Sequence, residues 1–165
     1  MIENLVKDLQ QRFAATKIQF VEGTKQHTIV ADASVLVEVS LYLRDSSTYY
    51  FDFLANITAV DYFPENRFAV VYHLASLPYQ TQLTLRVELP VTNRDADNLP
   101  EVPSLSAVWR TADWHEREAF DLMGIYFTDH PDLRRILLPD DWEGFPLRKD
   151  YQDAEYYHGI PIKGQ

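Results

Sequence analysis

Ile2, Leu5, Val6, Leu9 and Phe13 recur at three- and four-residue steps, which gathers them on one side of a helical turn and predicts an amphipathic N-terminal helix. Residues 25–31 then read as a strand. Residues 34–44 (SVLVEVSLYLR) carry two periods at once. Val35, Val37, Val39, Leu41 and Leu43 alternate as in a strand, whereas Val35, Leu36, Val39, Tyr42 and Leu43 share one helical face. Asp32 and Ser34, in a short polar break, supply a helix start, so the segment is assigned to helix with the strand left as the alternative.

From Asn56 the period is two. Residues 57–63, 67–75 and 81–89 have strand length and are separated by Pro64-Glu65-Asn66 and by residues 76–80, which predicts a three-strand meander. In the third segment Leu83, Leu85, Val87 and Leu89 alternate with Thr84, Arg86 and Glu88, the pattern of a sheet with one dry and one wet face. Helices should cover the dry face. Beyond Pro100 and Pro103, Ser104 is placed to cap a short helix through Trp109, and Asp113 with Glu116 three residues on forms a capping-box-like start for a second. Gly124 marks the end of that second helix.

The 165 residues suffice for one domain with a real core. The longest apolar stretches fall short of the ~18 residues of a membrane helix, and the N-terminus lacks a basic-then-apolar leader, so a position on the cytoplasmic side is expected. The absence of cysteine excludes disulfides, thiolate zinc sites, thiol nucleophiles and cysteine-ligated clusters. A net charge of -10 argues against nucleic acid and favours basic protein surfaces. Aromatic residues make up 13% of the chain, which suits extensive buried contact.

The stretch WHEREAFDLMGIYF opens like a zinc-protease helix, but such a helix needs histidines at i and i+4, and Ala119 stands four residues after His115. His27, His73, His115, His130 and His158 are otherwise dispersed. The five glycines form neither a dinucleotide fingerprint nor a phosphate loop, and no serine has the flanking glycines of a hydrolase elbow. Glu116, Glu118 and Asp121 could form a carboxylate pair for acid–base work. The competing reading is caps, partner contacts and a helix-surface ion pair from Arg117 to Asp121.

Ala119, Phe120 and Met123 are expected to pack inward, leaving Arg117, Glu118 and Asp121 as a charged recognition ridge. Downstream, residues 130–165 lack periodicity over most of their length and contain four prolines. They also carry Ile136, Leu137, Leu138, Trp142, Phe145 and Leu147, too apolar for a disordered tail. An arm ordered against a partner accounts for both features; an arm folded back over its own sheet is the alternative.

Glu116-Arg117-Glu118, Ala119-Phe120, Asp121 and Leu122-Met123, then six residues before His130, then Arg134 and Ile136-Leu137, resemble the signature of the C-subunit family of complex I. The likeness continues through Asp141-Trp142-Glu143-Gly144 and Pro146-Leu147-Arg148-Lys149-Asp150-Tyr151, and more weakly back through Ile57-Thr58-Ala59-Val60-Asp61-Tyr62. The resemblance implies an α/β (α+β) domain over residues 1–127, with a mixed sheet flanked by helices. An extended C-terminal arm over residues 128–165 would lie on the neighbouring subunit.

It further implies that this chain binds no cofactor or metal, that iron–sulfur clusters and quinone belong to partner subunits, and that no residue of the chain is catalytic. The implied partners are the quinone-site subunit and the iron–sulfur subunits. The implied partner contacts are Glu116, Arg117, Glu118 and Asp121 on the helix, and His130, Arg134, Arg135, Pro146, Arg148, Lys149, Asp150 and Tyr151 on the arm. His115 departs from the apolar or neutral residue common before the Glu-Arg-Glu triplet.

Within the family, residues 57–62 and the ending EYYHGIPIKGQ resemble the J-subunit branch of cyanobacteria and plastids. That branch implies a proton-translocating NAD(P)H (or ferredoxin)-plastoquinone oxidoreductase, with this subunit peripheral on the cytoplasmic or stromal side of the thylakoid membrane. A scaffold of a membrane-bound hydrogenase-type complex is the nearest alternative, and a stand-alone acidic enzyme using Glu116 and Glu118 the more distant one.

Overall fold

The computed structural model describes residues 2–23, 27–95 and 97–162. Helix α1 (Ile2–Phe13) buries Leu5, Val6 and Leu9, as the spacing demands, with Glu3 in its first turn and Arg12 in its last, both placed favourably for the helix dipole. Strand β1 (Ile18–Val21) follows and pairs antiparallel with β2 (Thr28–Ala31). Four residues establish no period, so β1 is an addition to the expected elements. The strand expected at 25–31 is shorter, and Lys25 and Gln26 lie outside the described residues.

The ambiguous segment is helical. The Asp32 carboxylate accepts the Ser34 N–H at 2.9 Å, and a 3-10 turn (Ala33–Val35) runs into α2 (Leu36–Asp45). Asp32 is therefore the cap, and Ser34 is capped rather than capping. Leu36, Val39 and Leu43 are buried while Leu41 is 37% exposed, which is the helical face and not the alternating one.

The meander forms as expected. Strands β3 (Phe53–Asp61), β4 (Arg67–Ser76) and β5 (Thr81–Pro90) pair antiparallel in sequence, and β2 docks parallel on β5. The sheet is mixed and five-stranded, in the order β1-β2-β5-β4-β3. β3 starts at Phe53, before the expected 57, because pairing with β4 resumes beyond a bulge between Leu54 and Asn56, and it ends at Asp61 rather than 63. Phe68, Val70, Tyr72 and Leu74 face Leu89, Val87, Leu85 and Leu83 across the β4–β5 ladder, and all are buried. They join Leu5 and Leu9 of α1 and Leu36, Val39 and Leu43 of α2 in one core. The other face carries the Arg67–Glu88–Arg86 charge ladder.

The capping helix expected at 104–109 does not form. Residues Glu101–Pro103 are a short strand, β6, pairing parallel with β7 (Tyr126–Thr128), and 104–109 is an irregular turn. The Ser104 hydroxyl turns instead to a carboxylate on helix α3 (Ala112–Met123). α3 begins earlier than expected, after Thr111, with no side-chain cap, and ends at Gly124 in the left-handed conformation (φ 67°). It packs against β3, one of the two edge strands of the sheet, while Phe53, Ala55, Asn56 and Thr58 of that strand stay exposed. Among the described residues no helix is long and apolar enough to cross a membrane.

Candidate functional site

The charged ridge expected on α3 is turned inward. Only Glu118 of that trio is exposed; Arg117 and Asp121 are buried, as is Glu116, which the sequence read as a cap. A charge inside a fold needs compensating partners: Asp121 has Arg135 and three backbone N–H groups, Glu116 a hydroxyl and an N–H, and Arg117 the Arg134 carbonyl at 3.4 Å. Together they fasten residues 129–150 to α3 and to the end of the sheet.

Asp121 stands at the first junction. One oxygen accepts the backbone N–H groups of Ile136, Leu137 and Leu138 at 3.0, 2.6 and 3.0 Å; the other accepts Arg135 Nη1 at 3.0 Å. Burial pushes its pKa up, but the three N–H groups and the guanidinium outweigh burial and hold it below the usual carboxylate value. Arg135 also donates to the carbonyls of Asp121, Trp142 and Gly144, so one fork closes both ends of the 135–144 loop. The expected Arg117–Asp121 surface pair is absent, because Asp121 is enclosed by the arm. Arg117 instead lies over the Trp114 ring, 4.8 Å from its centroid.

Arg148 marks the second junction. It is buried against α3's C-terminus, donating to the carbonyls of Met123 (2.8 Å), Gly124 (3.2 Å) and Arg94 (2.9 Å), and lies over the rings of Phe68 and Phe145. Helix C-termini leave carbonyls unpaired and favour cations, which is why an arginine belongs here. Arg94 Nη2 reaches Asp61 at 2.5 Å, and Arg94 Nε reaches Asp150 at 2.6 Å. Asp61 also accepts the Lys149 N–H at 2.8 Å. Gly124 is required twice: its φ is left-handed, and a Cβ there would lie 2.6 Å from both Arg148 Nη2 and the Phe145 ring.

Glu116 is fully buried and forms the third junction. It accepts Ser104 Oγ at 2.6 Å and the Leu105 N–H at 2.7 Å. Burial raises its pKa to about 7 even though both hydrogen bonds act the other way. The buried His130 ring sits 3.9 Å away; its Nδ1 accepts the Asp132 N–H, so its proton is on Nε2, facing the Asp113 carbonyl at 3.1 Å. A carboxyl poised near neutrality would suit proton transfer, but Glu116 has no surface open to a substrate. Glu118, two residues on, points to the other side of the helix, so the two do not form a catalytic pair.

Of the remaining expected contacts, the side chains of Arg134 and Lys149 are exposed, Pro146 is half-buried, and Tyr151 accepts Trp142 Nε1 at 3.2 Å. His115 has a local task. Its Nδ1 accepts the Ile57 N–H at 3.1 Å, occupying an edge donor of β3 next to the bulge. The sequence reading missed Arg94 and Ser104 as members of these junctions. Neither lies in a periodic segment, and both act on residues at least twelve positions away.

These junctions coincide with the region of strongest resemblance, and a sequence model of the family described as respiratory-chain NADH dehydrogenase, 30 Kd subunit, matches residues 29–157. The chain belongs to the 30 kDa subunit family of complex I. Members similar to it are named as the C-subunit of NADH-quinone oxidoreductase. The protein of Citrifermentans bemidjiense is 43% identical over 96% of this chain and 98% of its own. That of Moorella thermoacetica is 42% identical over 92% and 95%. That of Chlorobium phaeobacteroides is 45% identical over 81% and 77%. Among solved structures, a chain of an archaeal respiratory membrane complex, the membrane-bound sulfane sulfur reductase, superposes with a TM-score of 0.73 at 25% identity, covering 91% of this chain and 85% of that one.

Proposed function

We propose that the chain is a peripheral scaffold subunit of a membrane-associated respiratory quinone oxidoreductase, holding the quinone-site subunit in working geometry while the redox centres lie in other chains. The carrying observation is the use of the family's charged motif. Asp121, Arg135 and Arg148 fasten the first part of the arm to the domain, Glu116 ties α3 to the loop before it, and Trp114, Leu137 and Leu147 around α3 remain about 60% exposed. Large apolar groups held outward on a rigid frame are interface material. The lack of cysteine supports placing the iron–sulfur clusters elsewhere, and the burial of Glu116 weighs against a stand-alone acidic enzyme.

The finer reading is the cyanobacterial and plastid branch, with plastoquinone as acceptor, NAD(P)H or ferredoxin as donor, and a thylakoid location. It rests on the likeness at 57–62 and in the ending EYYHGIPIKGQ. The similarity to a chain of a sulfane sulfur reductase complex favours a second reading, in which the same module scaffolds a related membrane reductase. A C-terminally tagged chain purified from solubilised native membranes tests all three. Recovery with a quinone-site subunit, cysteine-rich subunits and extractable plastoquinone supports the finer reading. A different quinone retains only the coarser one, and nickel or sulfur-reductase subunits favour the second. Recovery of the chain alone overturns the scaffold.

A further inference from the structure

The distal arm ends in a small hairpin, β8 (Tyr156–Tyr157) paired with β9 (Ile160–Pro161). His158 and Gly159 both have positive φ (48° and 76°), which is the two-residue turn that matches strand twist. The turn lays the hairpin on residues 141–143. Asp141 orients it, accepting Tyr157 OH at 2.9 Å and His158 Nε2 at 2.7 Å, while the Trp142 ring packs 5.3 Å from that of Tyr157.

A cleft of about 260 Å3 lies between them, lined by Asp141, Trp142, Glu143, Tyr156, Tyr157 and His158 among others. Among the described residues neither lysine nor arginine lines it, and the Glu143 carboxylate has no hydrogen-bond partner.

We infer that this cleft receives an arginine side chain presented by a basic segment of a partner subunit; the inference rests on the scaffold reading above. Three aromatic rings around two carboxylates form a site for a cation, because ring faces carry negative potential and carboxylates take two guanidinium N–H groups. A planar guanidinium both stacks and forks, which an ammonium does not. The rest of the chain shows the same preference internally: its own arginines lie over Tyr42, Tyr62, Phe63, Phe68, Trp114 and Phe145. Among the described residues none lies over Trp142, Tyr156 or Tyr157.

The cleft is smaller than the roughly 300–1,000 Å3 of sites that enclose small-molecule ligands, so a side chain suits it better. A two-stranded hairpin is marginal in water, and this one exposes Tyr156, Ile160 and Ile162. The backbone flanking the arginine would cover them, and the chain's charge of -10 attracts a basic segment.

The test uses the tagged full chain with p-benzoylphenylalanine in place of Ile160, expressed in native membranes and irradiated. The expected result is a crosslink to another subunit within an arginine-containing segment. Asp141→Asn with Glu143→Gln, or Trp142→Ala, should cut its yield roughly five- to thirty-fold, and Trp142→Phe should restore most of it. A crosslink within the chain itself, one to a segment without arginine, or a yield unchanged by these substitutions overturns the cleft assignment while the co-purifying subunits leave the scaffold intact. Absence of any co-purifying subunit overturns both.

Discussion

The sheet and the arm are held by different physics. Between β4 and β5 adhesion is apolar and redundant: Tyr72 packs opposite Leu85, Val70 opposite Val87, and neighbouring pairs repeat the contact. Between α3 and residues 129–150 it is polar and singular, since one carboxylate satisfies three backbone N–H groups and one guanidinium three carbonyls. Hydrophobic contact scales with area and tolerates substitution of similar volume. A buried polar hub has no spare partner, and losing it strands every group it served. Such an arm can be rigid without a core of its own, and its apolar side chains stay available for another surface.

Removing one group from each region is the strongest way to break the comparison. Leu85→Ala should cost about 3 kcal/mol and shift the unfolding of the whole chain. Asp121→Ala should cost about 4 kcal/mol, but as local release. Hydrogen exchange should show amides 136–138 losing protection while β4 and β5 keep theirs. Simultaneous loss of protection in both regions would show that arm and sheet form one cooperative unit.

The Glu116 junction makes a comparison of signs. The folded carboxyl holds its proton up to about pH 7, against 4.5 for the ordinary group. The folded state therefore binds the extra proton, and that stabilisation is complete below pH 4.5 and lost as pH rises through 7. Asp121, held low, does the reverse: its contribution is present above its ordinary 3.8 and fades as pH falls. Denaturant unfolding at pH 5 and pH 8 should show the wild type losing about 2–3 kcal/mol relative to Glu116→Gln. Parallel losses in the two proteins would place the titration elsewhere.

Gly124→Ala should cost about 2 kcal/mol from the left-handed backbone and from crowding Arg148 and Phe145, lowering Tm in a thermal scan. The smallest effect sharpens the contrast best. Lys149→Glu, on an exposed side chain beside buried Arg148, should leave stability within about 0.5 kcal/mol while weakening recovery of partner subunits. A stability loss as large as that of Arg148→Glu would show that the two neighbours share one internal role.

The hydrophobic pattern carried α1, the meander and the inward face of β5, because periods of 3.6 and 2.0 are written locally, and glycine's left-handed preference carried the end of α3 at Gly124. The family likeness placed the weight on residues 116–151, where the junctions lie. Local pattern could not decide whether 34–44 is strand or helix, since both periods were satisfied until Leu41 had to face outward. It misread Ser104 and Asp113 as caps and Arg117 and Asp121 as a surface pair. Burial of a charge is legible only once its partners are in place, and those partners lie at Leu105 in the loop before α3 and at Arg135 and residues 136–138, brought in by the chain's return across α3. Hydrophobic periodicity is a property of neighbours along the chain, so the layers could be read from residue order. The ionisation and partnering of a buried group belong to neighbours in space, and the folded arrangement alone settles which charges those layers enclose.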